Sequence, residues 1–222
     1  MRKRTKVWAG VGVGVVVLGG VALAVGPGLY ADWVNSNADA APTIATSAAA
    51  DPVTPTDGTW TVGAGSFAGY RVDEVLQGKD VTVTGRTEKV TGTVTVADGS
   101  LTAAEVDVDM ASIATDEPPR DSYFRDTALQ TGTFPTATFT LTEPVALGDG
   151  ATSATLTGDL TIRGEKKQVT VDAQVAASGD TVQVVGSVPI TFADFGVEAP
   201  DLGFVTVEKT GAVEFDLRLA QS

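Results

Sequence analysis

The stretch Gly92–Met110, GTVTVADGSLTAAEVDVDM, alternates apolar and polar residues with period two on both sides of Ala97-Asp98-Gly99. Val94 and Val96 precede the turn, and Ala104, Val106, Val108 and Met110 follow it. Thr93, Thr95, Glu105, Asp107 and Asp109 occupy the intervening positions. Two strands folded back on each other, dry on one face and wet on the other, produce this pattern. A three-residue loop, Ala97-Asp98-Gly99, pairs Val96 with Ser100 and keeps every apolar residue on one face. A two-residue loop would turn Val94 and Val96 toward the acidic face, because a one-residue slip exchanges the faces. Gly99 then supplies the left-handed loop position. The chain is an antiparallel β protein.

Composition narrows the chemistry. In 222 residues there is no cysteine and no histidine. Disulfides, thiolate nucleophiles and imidazole metal ligands are therefore absent. Catalysis would have to rest on carboxylates, hydroxyls, Lys or Tyr. The net charge is −13, and Arg2, Lys3, Arg4 and Lys6 hold four of the 15 basic residues. The remainder sets 11 bases against 28 acids. Such a surface repels nucleic acid and gains nothing from anionic lipid headgroups.

Residues 1–6 read as a basic cytoplasmic tail. Val7–Val25 is an uncharged run about long enough to span a bilayer as a helix. Its basic flank predicts an uncleaved signal anchor, N-terminus inside and the remainder extracytoplasmic. A cleavable signal peptide is the competing reading, although the nearest small-x-small site, Ala38-Asp39-Ala40, lies well beyond the run. Residues 26–57, rich in Ala, Asp, Thr, Ser and Pro from Ala31 onward, are expected to form a flexible linker. The folded domain is expected over 58–222.

Within it, strands are expected at Thr59–Val62, Ser66–Asp73, Val81–Thr84, Thr136–Thr142, Ala154–Arg163, Lys167–Ala176, Thr181–Phe192 and Phe204–Leu219, besides the central hairpin. Near Gly164, Leu160 and Ile162 share a face with Val169 and Val171 only if the loop is even, such as Glu165-Lys166. Arg120–Gln130, after Pro118-Pro119, is the one expected helix, with Phe124 and Ala128 on its buried side. About eight antiparallel strands with short connections predict an up-and-down barrel, which removes unpaired edges. A sandwich is the alternative.

Five segments in order carry a resemblance: Ser112-Ile113-Ala114-Thr115 with Arg120-Asp121; Phe134-Pro135 with Ala137-Thr138-Phe139; Gly158–Gly164 (GDLTIRG); and Ile190–Gly196 (ITFADFG). Together they resemble the YceI-like family over about Thr59–Leu219. The resemblance implies an all-β, lipocalin-like barrel with an apolar tunnel holding a polyisoprenoid or similar long-chain lipid. Members are typically exported, and an anchored form with a linker resembles those of actinobacteria. Better-known members carry a histidine in an early strand and an arginine before the Asp-Phe-Gly element. Here no histidine exists, and Thr191-Phe192-Ala193 precedes Asp194. Contacts to a polar lipid head made by those residues do not carry over.

The apolar set expected to line the interior is Trp60, Phe67, Tyr70, Val106, Phe139, Leu160, Ile162, Phe192, Phe195 and Phe215. Periodicity leaves open whether it forms a packed core or a tunnel wall; the resemblance favours the tunnel. Arg120 and Asp121 read as an ion pair fixing the short helix across the barrel end. Glu105, Asp107 and Asp109 read as a solvated outer face, since alternate strand residues make a poor calcium loop. No catalytic residue, metal site or cofactor is expected. The expected partners are a long-chain lipid and, through the N-terminal helix, the membrane. A ligand-free structural or interaction module of the cell envelope is the alternative.

Overall fold

Valine and threonine alternating along most of the domain favour extended backbone, where β-branched side chains pack well on a pleated surface. The computed structural model describes residues 26–44, 54, 56–178 and 180–222. Its strands are β1 Gly58–Val62, β2 Phe67–Leu76, β3 Lys79–Thr87, β4 Val90–Ala97, β5 Ser100–Asp109, β6 Thr136–Leu141, β7 Val145–Ala146, β8 Ser153–Ile162, β9 Glu165–Ser178, β10 Thr181–Thr191 and β11 Val205–Gln221. The helices are α1 Pro27–Asn37 and α2 Pro118–Tyr123.

Every strand pairing is antiparallel, and the sheet closes on itself. β1 and β2 lie end to end along one edge of β11, with Val62 opposite Leu219 and Phe67 opposite Asp216. β3 returns along β2, and β4 continues it along β1. These four pieces therefore act as two long interrupted staves. β5, β6, β8, β9, β10 and β11 complete an eight-stave barrel in up-and-down order, while β7 pairs with β5. The barrel is the lipocalin-like one, and the sandwich is excluded by the β1–β11 closure.

Two loop readings are corrected. The central hairpin turns through two residues, Asp98-Gly99, with φ of 51° and 69°. Ala97 faces Ser100 and Val96 faces Leu101, yet Thr95 faces Ala103. Thr102 is an extra residue in β5, its hydroxyl donating to the Thr95 carbonyl at 3.2 Å. This bulge restores the parity that the two-residue turn reverses, so Val94, Val96, Ala104, Val106, Val108 and Met110 all face inward after all. The loop near Gly164 is even as required, but it is Arg163-Gly164, with Ile162 opposite Glu165. Pairs with positive φ match strand twist in two-residue turns, and Gln77-Gly78 repeats the device.

The expected helix over Arg120–Gln130 is shorter. α2 stops at Tyr123 and a π-type turn, Phe124–Ala128, follows, closed by Leu129 N–H donating to the Phe124 carbonyl at 2.9 Å. It crosses the barrel end at which β5 leaves and β6 enters. Gln77-Gly78, Arg163-Gly164 and residues 192–204 share that end, here termed the mouth.

The linker expected over 26–57 is corrected across its first part. α1 buries Tyr30, Ala31 and Val34 against Val72, Leu76, Val81, Val83 and Val205 at the β2–β3 tip. The polar composition of the tract hides three apolar residues at helical spacing. The Asn35 amide donates to the Asp80 carbonyl at 3.1 Å and accepts from Thr82 N–H at 2.8 Å. It thus caps the edge of β3, which would otherwise offer open pairing groups. Residues 38–44 continue as a strap over the outer surface. Asp39 N–H donates to Thr84, the Asp39 and Ala40 carbonyls accept from Arg71 and Arg86, and Ile44 N–H donates to Gln174 on β9. We expect Asn35→Ala to cost about 1 kcal/mol. Hydrogen exchange at the Thr82 amide should speed up while the barrel amides hold. The expected basic tail and membrane span, residues 1–25, lie outside the described residues. Among the described residues no helix is long and apolar enough to cross a membrane.

Candidate functional site: an apolar cavity inside the barrel

Inward-facing residues of all eight staves enclose a cavity of about 1110 Å³. Nine of the ten residues expected on its wall are there. Val106, Phe139 and Leu160 sit side by side across β5, β6 and β8. Ile162 lies nearer the mouth, Phe192 and Phe195 on the turn Phe192–Phe195 after β10, Tyr70 on β2 and Phe215 on β11. Trp60 lines the opposite end, where Leu217 and Leu219 are buried.

Phe67 is corrected. It stands three residues from Tyr70 on one strand, so the two rings point to opposite faces. Phe67 lies on the outer face, with the Arg86 guanidinium 4.4 Å from its ring centroid. Sequence reasoning also passes over much of the aliphatic wall, including Val171, Val184, Val188 and Leu217. The same alternation marks these positions; attention to aromatic residues leaves them out.

Why the barrel is hollow follows from its glycines. A Cβ at Gly85 would stand 2.6 Å from Tyr70 Cε1, and one at Gly186 would stand 2.5 Å from Phe215 Cζ. At Gly158 it would meet the Phe139 ring, and at Gly211 Phe192 Cζ at 2.8 Å. Each large ring therefore lies down on a glycine of the neighbouring strand instead of standing into the lumen. Tyr70 also stacks on Phe124 of the π-type turn, 5.2 Å between centroids and 9° between planes.

Polar groups gather at the mouth. Arg120 donates from Nη1 to Asp116 Oδ1 at 2.6 Å. Asp121 does not pair with Arg120; its carboxylate accepts from Thr115 N–H and Thr115 Oγ1, both at 2.8 Å, and holds the turn ahead of α2. Tyr30 donates to Glu117 Oε1 at 3.3 Å, tying α1 to this turn. Burial, with Glu117 second, pushes the Tyr30 hydroxyl up to about 12. Burial likewise raises Tyr70.

Glu74 lies on the inner face of β2, opposite Val81 and Val207. Burial raises its carboxyl above the ordinary 4.5, Arg120 opposing and Asp116 adding. The folded state therefore holds this proton more tightly than the unfolded chain does. Stability falls as pH rises from about 4.5 through the folded-state value and is level beyond it. Glu74→Gln should thus melt higher than the parent at pH 7, and the gain should vanish below pH 4.5. A gain independent of pH would rule out this origin.

The outer acids are engaged in local structure. Asp107 accepts from the Thr138 hydroxyl at 2.6 Å, and Asp109 accepts from Ala111 N–H and pairs with Lys89. Among the described residues no group of three or more carboxylates is placed to hold a metal.

A YceI-like domain model matches residues 60–219, from β1 to the end of β11. UPF0312 proteins of Pseudomonas paraeruginosa and Pseudomonas aeruginosa are 36% identical over 105 residues, covering 44% of this chain and 53% of theirs. The chain thus spans about half the length of the curated relatives it matches. Among solved structures, BcnA of Burkholderia cenocepacia is 26% identical with a TM-score of 0.57, covering 71% of this chain and 98% of that one. A polyisoprenoid binding domain from Saccharophagus degradans is 20% identical with a TM-score of 0.58, covering 75% and 100%. The second likeness is one of fold.

Proposed function

Because the chain belongs to the YceI-like family, we propose that it binds a long-chain apolar lipid of the polyisoprenoid class inside its barrel. The observation that carries this reading is the cavity itself. Its volume, about 1110 Å³, exceeds the roughly 300–1,000 Å³ of sites for drug-sized ligands. Its wall is almost wholly aliphatic and aromatic. Burying a chain there contributes roughly 0.8 kcal/mol per methylene, so affinity requires few polar contacts. The fold neighbour described as a polyisoprenoid binding domain supports the ligand class. Binding, carriage or shielding suits this site better than catalysis, since among the described residues the wall carries no nucleophile beside a base. The apolar run Val7–Val25 and its basic flank support tethering to a membrane, with the barrel on the extracytoplasmic side.

The test is organic extraction and mass spectrometry of residues 26–222, which retain α1 and the strap, purified without detergent from a host that makes polyprenols. The expected result is about one polyisoprenoid per barrel. An empty, stable barrel that also refuses added polyprenol would favour the ligand-free envelope module.

A further inference from the structure

We infer that the cavity selects a lipid ending in an uncharged hydroxyl and discriminates against the corresponding diphosphate. This rests on the lipid-binding reading above. The argument starts from the charges on the cavity wall. Among the described residues Arg120 is the only cation there, whereas Glu74, Asp126 and Glu198 are carboxylates. Arg120 is already committed to Asp116 at 2.6 Å, and its side chain is only 12% exposed. A diphosphate entering head-last would meet three carboxylates and one neutralised guanidinium. It would also give up part of its hydration beside the half-buried Glu74, while the exposed Asp126 and Glu198 add a weaker, screened repulsion.

Glu74 adds the positive half of the argument. It stands inside the wall, with Val81 and Val207 as its cross-strand neighbours, and no side chain or backbone group among the described residues hydrogen-bonds its carboxylate. Glu74 is half-buried, and an acceptor on an apolar wall with no protein donor gains from one that the ligand brings. A hydroxyl donates one hydrogen bond and brings no charge, so it satisfies Glu74 without a counter-ion. A diphosphate offers this carboxylate only acceptor oxygens and repulsion. The apolar wall sets affinity for the chain, and the mouth reads its end.

The experiment uses the full chain in membranes, labelled by a diazirine-bearing C20 prenyl alcohol, with geranylgeraniol and geranylgeranyl diphosphate as competitors. The readout is the ratio of the two competition midpoints, compared between parent, Glu74→Gln and Glu198→Gln. Membrane partitioning of each competitor cancels in that comparison. Glu74→Gln should shift the ratio toward the diphosphate by about tenfold, and the exposed Glu198→Gln should shift it less, in the same direction. A ratio unchanged in both variants, or one that moves toward the alcohol, overturns the inference while leaving the lipid-binding barrel standing. Absence of saturable labelling on the cavity wall would instead defeat the lipid-binding reading itself.

Discussion

Glu214→Ala should lower the melting temperature by about 10 °C, the largest stability loss expected from one side chain outside the cavity. Glu214 sits on the outer face of β11, yet its side chain is only 3% exposed. Its carboxylate accepts from Arg71 Nε at 2.6 Å and from Arg71 Nη2 at 3.3 Å, with Arg86 Nη2 at 3.6 Å. The strap explains the burial. Arg71 and Arg86 each reach outward to a strap carbonyl, at 2.7 and 2.6 Å, so the acid is sealed beneath its own partners. Removing it leaves two guanidiniums side by side with only the half-exposed Asp39 carboxylate, 3.4 Å from Arg86 Nε, to offset them. Breaking such a buried group costs about 3 kcal/mol, toward the lower end because both arginines keep some contact with water. For a domain of this size each kcal/mol moves the melting temperature by about 2–4 °C. Thermal melts followed by circular dichroism would measure it. A loss under about 1 kcal/mol would mean that the strap leaves the pair hydrated, where ion pairs contribute little.

That network marks where sequence reading stops. Alternation alone locates the inward residues of every main strand, because burial imposes period two whatever the loops do. It does not reveal how parity is kept. In the central hairpin a two-residue turn and the bulge at Thr102 cancel, and no composition signal separates that solution from a three-residue loop. Phe67 is expected inward on its aromatic character although Tyr70, at odd spacing on the same strand, already occupies that face. The spacing is legible; the pull of a large apolar ring outweighs it. The partner of Phe67, Arg86, lies 19 positions away and is brought there by the β2–β3 pairing. The N-terminal tract reads as linker because few of its residues are apolar. Three of them, Tyr30, Ala31 and Val34, suffice to dock α1 because the β2–β3 tip leaves an apolar face uncovered. Glu74 escapes notice since a carboxylate at an inward position runs against the pattern. Such local violations of a global pattern tend to mark functional positions.

The second large effect concerns the hollow interior. Leu160→Trp and Gly186→Ala should each remove most of the co-purifying lipid, by different routes. Leu160 is 6% exposed and faces the cavity beside Phe139. An indole there extends into open space, so the strain that extra volume causes in a packed core is largely avoided. Gly186 acts through Phe215. A new Cβ would fall 2.5 Å from the far end of that ring, and rotating the ring off the wall relieves the contact. Rotation sends the ring into the lumen, where it takes the space of the lipid chain. Neither change meets backbone, so the β circular dichroism should persist and the melting temperature should move by only a few degrees. Gly158→Ala provides the contrast, because its Cβ would also lie 2.7 Å from the Thr140 carbonyl oxygen, which cannot rotate away. That variant should lose stability as well as lipid. Lipid per barrel, measured by extraction beside a thermal melt, separates the cases. If Gly186→Ala melted far lower and kept its lipid, the rings would be bearing a packed core, and their rest on glycine would have nothing to do with keeping the barrel open.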